Sequence, residues 1–307
     1  MPEEIACGIG PSRIDIAYAR FGDPHDPPVL LIMGGGAQMV NWPDGFLAEL
    51  VAQELSLVIF DNRDVGRSSH LSDAAAVDIA AAMGGDHSLA VYDLSDMAAD
   101  AVGLLTALGI DSAHLVGISM GAMIAQTMAI EYPTRVRSLT SISSTTGNPE
   151  VGKTDTGAFG AAGPQPRDRD GFIDWQIRAA RALASPGFEF DAAAVAETAA
   201  RAFDRGLDFE GMMRQMVAVI ASGDRTDRLM TLRLPTLVIH GTADLAFDIS
   251  GGLATAAAVP GAKLLTIDGM GHNLPRALWS RLADEIAELI DRAEARHPTH
   301  HGEPNRP

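Results

Sequence analysis

Apolar and polar residues alternate through Arg13-Ile-Asp-Ile-Ala-Tyr-Ala-Arg20, and a Gly-Asp-Pro turn follows at 22–24, so the first 22 residues are expected to form a strand or hairpin. The pattern then changes. Val29-Leu-Leu-Ile-Met33 is apolar throughout and ends in Gly34-Gly-Gly36, as suits a strand covered on both faces of a parallel sheet. A helical stretch near Trp42 to Leu55, a strand Ser56 to Asp61, a long loop and a helix from about Tyr92 to Leu108 come next. They are followed by a strand His114 to Ile118, a helix Gly121 to Glu131 and a strand Val136 to Ser144. Strands alternating with helical patterns predict right-handed crossovers and a mostly parallel, doubly wound sheet.

From about Gly147 to Asp227 the strand signal disappears. Turn-rich sequence through Pro166 gives way to helical segments near Phe172 to Leu183, Ala192 to Phe203 and Phe209 to Ala221. The α/β pattern resumes at Pro235-Thr-Leu-Val-Ile-His240, continues in Lys263-Leu-Leu-Thr-Ile267 and closes in a helix from about Arg276 to Ala295. One α/β core, residues 1–147 and 229–296, is therefore expected to carry an inserted helical cap at 148–228. The last residues, 297–307, are polar and Pro-rich and are expected to be a disordered tail, whose histidines read as part of a floppy segment rather than a metal site.

Charge narrows the function. With 23 Lys+Arg against 40 Asp+Glu the formal net charge is −17, and the basic residues are scattered, which argues against a nucleic-acid partner. Ser112 to Ile130 lacks Asp, Glu, Lys and Arg over about the length of a membrane span. Gly117-Ile-Ser-Met-Gly121 breaks that run, so it reads as a buried strand turning into a buried helix. The single cysteine, Cys7, has no partner in the chain and reads as a small buried or half-buried apolar residue. The acidic start carries no signal-peptide pattern, and a cytoplasmic setting is expected.

Gly117-Ile118-Ser119-Met120-Gly121 lies between a predicted strand and a predicted helix, the context of a nucleophile elbow. A serine at the apex of so tight a turn is strained, and its flanking glycines avoid clashes. Its hydroxyl needs a base, itself oriented by an acid. His272, in Gly269-Met-Gly-His-Asn-Leu-Pro275, follows the last strand, at the carboxyl edge where such sheets place ligands. His240 is its rival, but it precedes the evident acid by only four residues, against the usual order of serine, acid, histidine. Asp244, in the turn after the penultimate strand, is the expected acid, with Asp248 read as a helix cap and Asp268 as a brace of the histidine loop. The Met120 amide and one amide of Met33-Gly34-Gly35-Gly36, taken as that of Gly35, are expected to stabilise an oxyanion. The glycine run lacks the spacing of a dinucleotide cradle, and neither a cofactor nor a metal is expected.

Leu31-Ile-Met-Gly-Gly-Gly, Phe60-Asp-Asn-Arg-Asp-Val-Gly-Arg-Ser-Ser69, Gly117-Ile-Ser-Met-Gly121, His240-Gly-Thr-Ala-Asp244 and Gly269-Met-Gly-His272 together resemble the α/β-hydrolases. The match is to the actinobacterial branch that includes aclacinomycin methylesterase and mycobacterial carboxylesterases. The family usually has His-Gly before the oxyanion residue; Met33-Gly34 stands here, as in that branch. The resemblance implies an α/β-hydrolase fold, Ser119, Asp244 and His272 as a triad, and Gly35 and Met120 as oxyanion donors. A serine esterase acting on a small-molecule ester or lactone is expected, with a bulky hydrophobic or natural-product substrate such as a polyketide or macrolide. A C–C bond hydrolase, a cofactor-free perhydrolase and a hydrolase-fold receptor are the alternatives on the same scaffold. The charged loop Asp61 to Arg67 is expected to be structural, and the Met-rich Gly211-Met-Met-Arg-Gln-Met216 either lines a pocket or packs as a buried stripe.

Overall fold

The computed structural model describes residues 3–295; the tail expected at 297–307 lies outside the described residues. The chain opens on an antiparallel hairpin of β1 (Glu4–Ile9) and β2 (Ile14–Phe21), then enters β3 (Pro28–Ile32), α1 (Asp44–Ala52) and β4 (Ser56–Phe60). A short helix α2 (Ile79–Met83) interrupts the long loop before α3 (Leu94–Ala107), β5 (Ala113–Ile118), α4 (Met120–Glu131) and β6 (Val136–Ile142). Helices α5 (Thr156–Gly160), α6 (Arg169–Ala182), α7 (Ala192–Arg205), α8 (Phe209–Ser222) and α9 (Thr226–Leu229) form the segment between β6 and β7 (Thr236–Gly241). Then come α10 (Ile249–Ala258), β8 (Lys263–Ile267) and α11 (Trp279–Glu294).

The sheet has 8 strands in the order β1-β2-β4-β3-β5-β6-β7-β8. Pairing is parallel from β4 through β8 and antiparallel only where β2 joins β1 and β4. The unbroken apolar runs have a direct cause: β4 and β5 are buried at every position because helices cover both faces. On one face Leu94, Met97 and Leu104 of α3 pack with Met123, Ile124 and Met128 of α4. On the other, Phe46 and Leu50 of α1 pack with Leu282, Ile286 and Leu289 of α11. The uncharged run at 112–130 is β5, the elbow and α4. Among the described residues no helix is long and apolar enough to cross a membrane.

Two details differ from the sequence reading. The helix expected from Trp42 begins only at Asp44, because Pro43 holds extended backbone at its N-terminus and Met39–Asn41 forms a separate 3₁₀ turn. Cys7 is exposed rather than buried, since β1 is an edge strand with most of its residues facing solvent.

Ion pairs bind the helices between β6 and β7 to the rest of the chain. The Arg214 guanidinium of α8 grips the Asp64 carboxylate with two bonds of 2.8 Å, and Asp64 also accepts from Tyr92 Oη (2.8 Å) and the Leu71 amide (2.7 Å). Arg205 at the end of α7 pairs with Asp61 and Glu3, while Gln38 Nε2 donates to the Ala202 and Gly206 carbonyls. Removing one member of a buried pair strands the other charge, so Arg214→Met is expected to cost about 3–5 kcal/mol of stability. The check is a urea midpoint that falls with an unchanged slope.

Candidate active site

Ser119 leaves β5 with φ 57° and ψ −126°, a conformation that non-glycine residues rarely adopt. Its surroundings fix it there. The Ser119 amide donates to Ile142 O of β6 (2.9 Å), and Ser144 Oγ donates to Ser119 O (2.9 Å). The flanking glycines are required by close approach: a Cβ on Gly117 would lie 2.4 Å from Gly121 O, and one on Gly121 would lie 2.0 Å from Ile32 O. Both obstacles are backbone. Gly121→Ala is therefore expected to cost about 3 kcal/mol by forcing α4 away from β3; a melting temperature within a degree of the parent would contradict this.

His272 and Asp244 meet at the same end of the sheet. Asp244 is fully buried and both its oxygens lie within 3.0 Å of His272 Nδ1, at 3.0 Å for Oδ1 and 2.9 Å for Oδ2. Oδ1 also accepts from the amides of Ala246 (2.9 Å) and Phe247 (3.0 Å). A carboxylate can only accept, so Nδ1 carries a proton, and in the neutral imidazole Nε2 is then the nitrogen with the lone pair. Burial alone would raise the Asp244 pKa, but the bond from His272 and the backbone donors outweigh it and hold the carboxyl below the usual range. The segment between β6 and β7 also holds the histidine loop: the His272 amide donates to Leu183 O (3.0 Å), and the Gly271 amide to Ser185 Oγ (2.8 Å). Nothing in the local pattern at 183–185 marked those partners.

Ser119 stands at the same rim, at the end of β5, two strands from β7. Among the described residues the His272 ring bonds only through Nδ1, and its Nε2 makes no hydrogen bond to Ser119 Oγ. Bonds of that kind often tighten only in the complex with substrate. The loop after β3 lies beside the hydroxyl, since a Cβ on Gly34 would sit 3.5 Å from Ser119 Oγ and one on Gly35 would sit 3.7 Å from Met120 Sδ. Within this loop the Gly36 amide donates to Gln215 Oε1 and the Ala37 amide to Gly34 O. Among the described residues the Gly35 and Met120 amides have no protein acceptor.

The rival groups are otherwise engaged. His240 is buried, which pushes its pKa down, and its Nε2 donates to Phe247 O (2.8 Å) while lying 3.7 Å from Asp244 Oδ2. Asp248 caps α10 through the Ser250 amide, and Asp268 accepts from Thr242 Oγ1. His114 is fully buried between Ser138 and Glu294. Asp64, His70 and Asp208 cluster closely enough to suggest metal ligands. Arg214 bonds both carboxylates, however, and both His70 nitrogens are engaged by Asp208 and Gly66 O. A cation there would face a guanidinium.

The Met-rich helix does not bury its methionines as a stripe. Its buried face is Gly211, Arg214, Gln215, Val217 and Ala218, whereas Met212, Met213 and Met216 are half-buried, with Met212 against Gly36. The loop Asp61 to Arg67 is structural as expected, and it braces the glycine loop, since Asn62 Nδ2 donates to Met33 O (3.1 Å) and Asp61 Oδ1 accepts from the Met39 amide (2.7 Å).

An eight-stranded, mostly parallel sheet bearing a strained serine between strand and helix, with an acid and a histidine on later loops, defines a class of hydrolase. The chain belongs to the α/β-hydrolase fold family, whose model matches residues 27–183. It is 28% identical over 286 residues to rhodomycin D methylesterase of Streptomyces peucetius, covering 87% of this chain and 91% of that protein. Among solved structures it superimposes on a thermophilic esterase from Thermogutta terrifontis with a TM-score of 0.71 and 22% identity, covering 95% of this chain and 99% of the other. A meta-cleavage product hydrolase from Pseudomonas fluorescens IP01 gives a TM-score of 0.71 at 19% identity, over 94% and 98% of the two chains.

Proposed function

We propose that the protein is a carboxylic ester hydrolase that uses Ser119, His272 and Asp244 as nucleophile, base and acid. The observation carrying this reading is the buried carboxylate fixed on His272 Nδ1 at the sheet rim where Ser119 is strained outward. His272 Nε2 takes the hydroxyl proton as Ser119 Oγ attacks the acyl carbon, and the Gly35 and Met120 amides receive the oxyanion. The proton passes to the departing alkoxide, an alcohol leaves, and water repeats the sequence to release the acid. No cofactor enters these steps.

Residues 148–228 act as a cap on the core of residues 1–147 and 229–296, and the half-buried methionines of α8 suit a large, shape-tolerant apolar substrate. Together with the methylesterase relative, this favours a natural-product ester or lactone of polyketide or macrolide type. The test incubates purified protein with polyketide methyl esters, p-nitrophenyl esters and a β-diketone, with products followed by mass spectrometry. Free acid and methanol in repeated turnovers are expected. Diketone cleavage or peracid formation without ester turnover would replace the reading with one of the other reactions of the scaffold, and a single stoichiometric acylation would make the chain a receptor.

A further inference from the structure

We infer that Gln215 of the cap is a positioning residue for the oxyanion site, orienting the Gly34–Gly36 loop from above. This rests on the esterase reading just given. Gln215 is fully buried, and both ends of its amide are spent on main chain: Oε1 accepts from the Gly36 amide at 2.8 Å, and Nε2 donates to Arg63 O at 2.7 Å. Burying a side-chain amide is unfavourable unless both ends are bonded, and an aliphatic residue would fill the same space without that cost. Packing therefore does not explain the glutamine. Nor does attachment of the cap, which Arg214, Arg205 and Gln38 already secure.

What Gln215 alone supplies is the orientation of one peptide plane. The Gly36 N–H shares a plane with Gly35 C=O, and the Gly35 N–H shares one with Gly34 C=O, which accepts from the Ala37 amide at 3.3 Å. With Asn62 holding Met33 O at the other end, both planes flanking Gly35 are fixed, and its amide, in a loop packed beside the Met120 side chain, has no protein acceptor among the described residues. A glycine run has little stiffness of its own, so this restraint has to come from outside it. An oxyanion donor is effective only when aimed before the charge develops, and a displacement of about 1 Å can cost 10²-fold.

The experiment compares Gln215→Met with the parent, with rates expressed per active site titrated by a fluorophosphonate. We expect kcat per site to fall about 10- to 100-fold with KM within about twofold, and inhibition by an aryl trifluoromethyl ketone, whose adduct carries the same oxyanion, to weaken by the same factor. A lower melting temperature or fewer titratable sites with kcat per site unchanged would show a merely structural residue and overturn the inference. Should the variant not fold, amide hydrogen exchange in the parent decides: Gly36 must exchange far more slowly than Gly35, and equal rates overturn it. If the parent itself neither reacts with the phosphonate nor turns over esters, the esterase reading fails, and the exchange rates still judge the Gln215 contact.

Discussion

Ser119→Ala is expected to lower kcat for ester hydrolysis by about 10⁵- to 10⁶-fold and to abolish labelling by a fluorophosphonate. The substitution removes one oxygen and keeps the Cβ. The backbone at φ 57° is held by Ile142 O and by Ser144 rather than by the hydroxyl, so the fold should survive. The residual rate, about 10³-fold over water, would come from substrate orientation and the amides of Gly35 and Met120. Retention of parental turnover by a folded Ser119→Ala protein would mean that some other group attacks the acyl carbon, and the elbow would then be only a strained turn.

The elbow was legible because its strain has a local sequence cause. Gly117 and Gly121 sit two residues either side of Ser119, and each lies so close to passing backbone that no other residue fits. The parallel strands were legible for a related reason: layers on both faces bury Val29–Ile32 of β3, Leu57–Phe60 of β4 and Leu237–Ile239 of β7, and each of these runs is apolar throughout. Asp244 and His272 are read from the loops after the last two strands, the order serine, acid, histidine and the family resemblance, and their side chains meet.

The rest depends on encounters between distant residues. Helices α2, α5 and α9 are too short for a periodic pattern to register. Arg214 meets Asp64, Arg205 meets Asp61, and Leu183 and Ser185 meet the His272 loop only because the insertion folds back over the core, and nothing near those residues foretells it. Gln215 lies in the Met-rich segment of α8. Its signal was the opposite one: an uncharged polar residue on the face shared by Gly211 and Ala218, where helical spacing calls for an apolar side chain. A polar residue at a core position is a sign that a backbone group elsewhere needs a partner.

Asp244→Asn should cost about 10⁴ in kcat at neutral pH, through the tautomer of His272 rather than through lost charge alone. Oδ1 of Asp244 accepts two backbone N–H bonds, from Ala246 and Phe247, so an asparagine must place its carbonyl oxygen there and its NH₂ where Oδ2 stood. That NH₂ stands 2.9 Å from His272 Nδ1, nearer than the carbonyl oxygen at 3.0 Å, and bonding it favours the ring tautomer that leaves Nδ1 bare. The ring proton then sits on Nε2, where the proposed attack by Ser119 calls for a lone pair. Stability carries the same signature. The folded Asp244 carboxyl titrates below its unfolded value of about 3.9, so its contribution is fully present above that value and is lost as the pH falls through the folded pKa. The gap in stability between parent and Asp244→Asn should therefore be constant near neutrality and close as the pH is lowered below about 4. A variant with nearly parental kcat, or a gap that widens in acid, would transfer the acid's role to Asp248, whose carboxylate now caps α10.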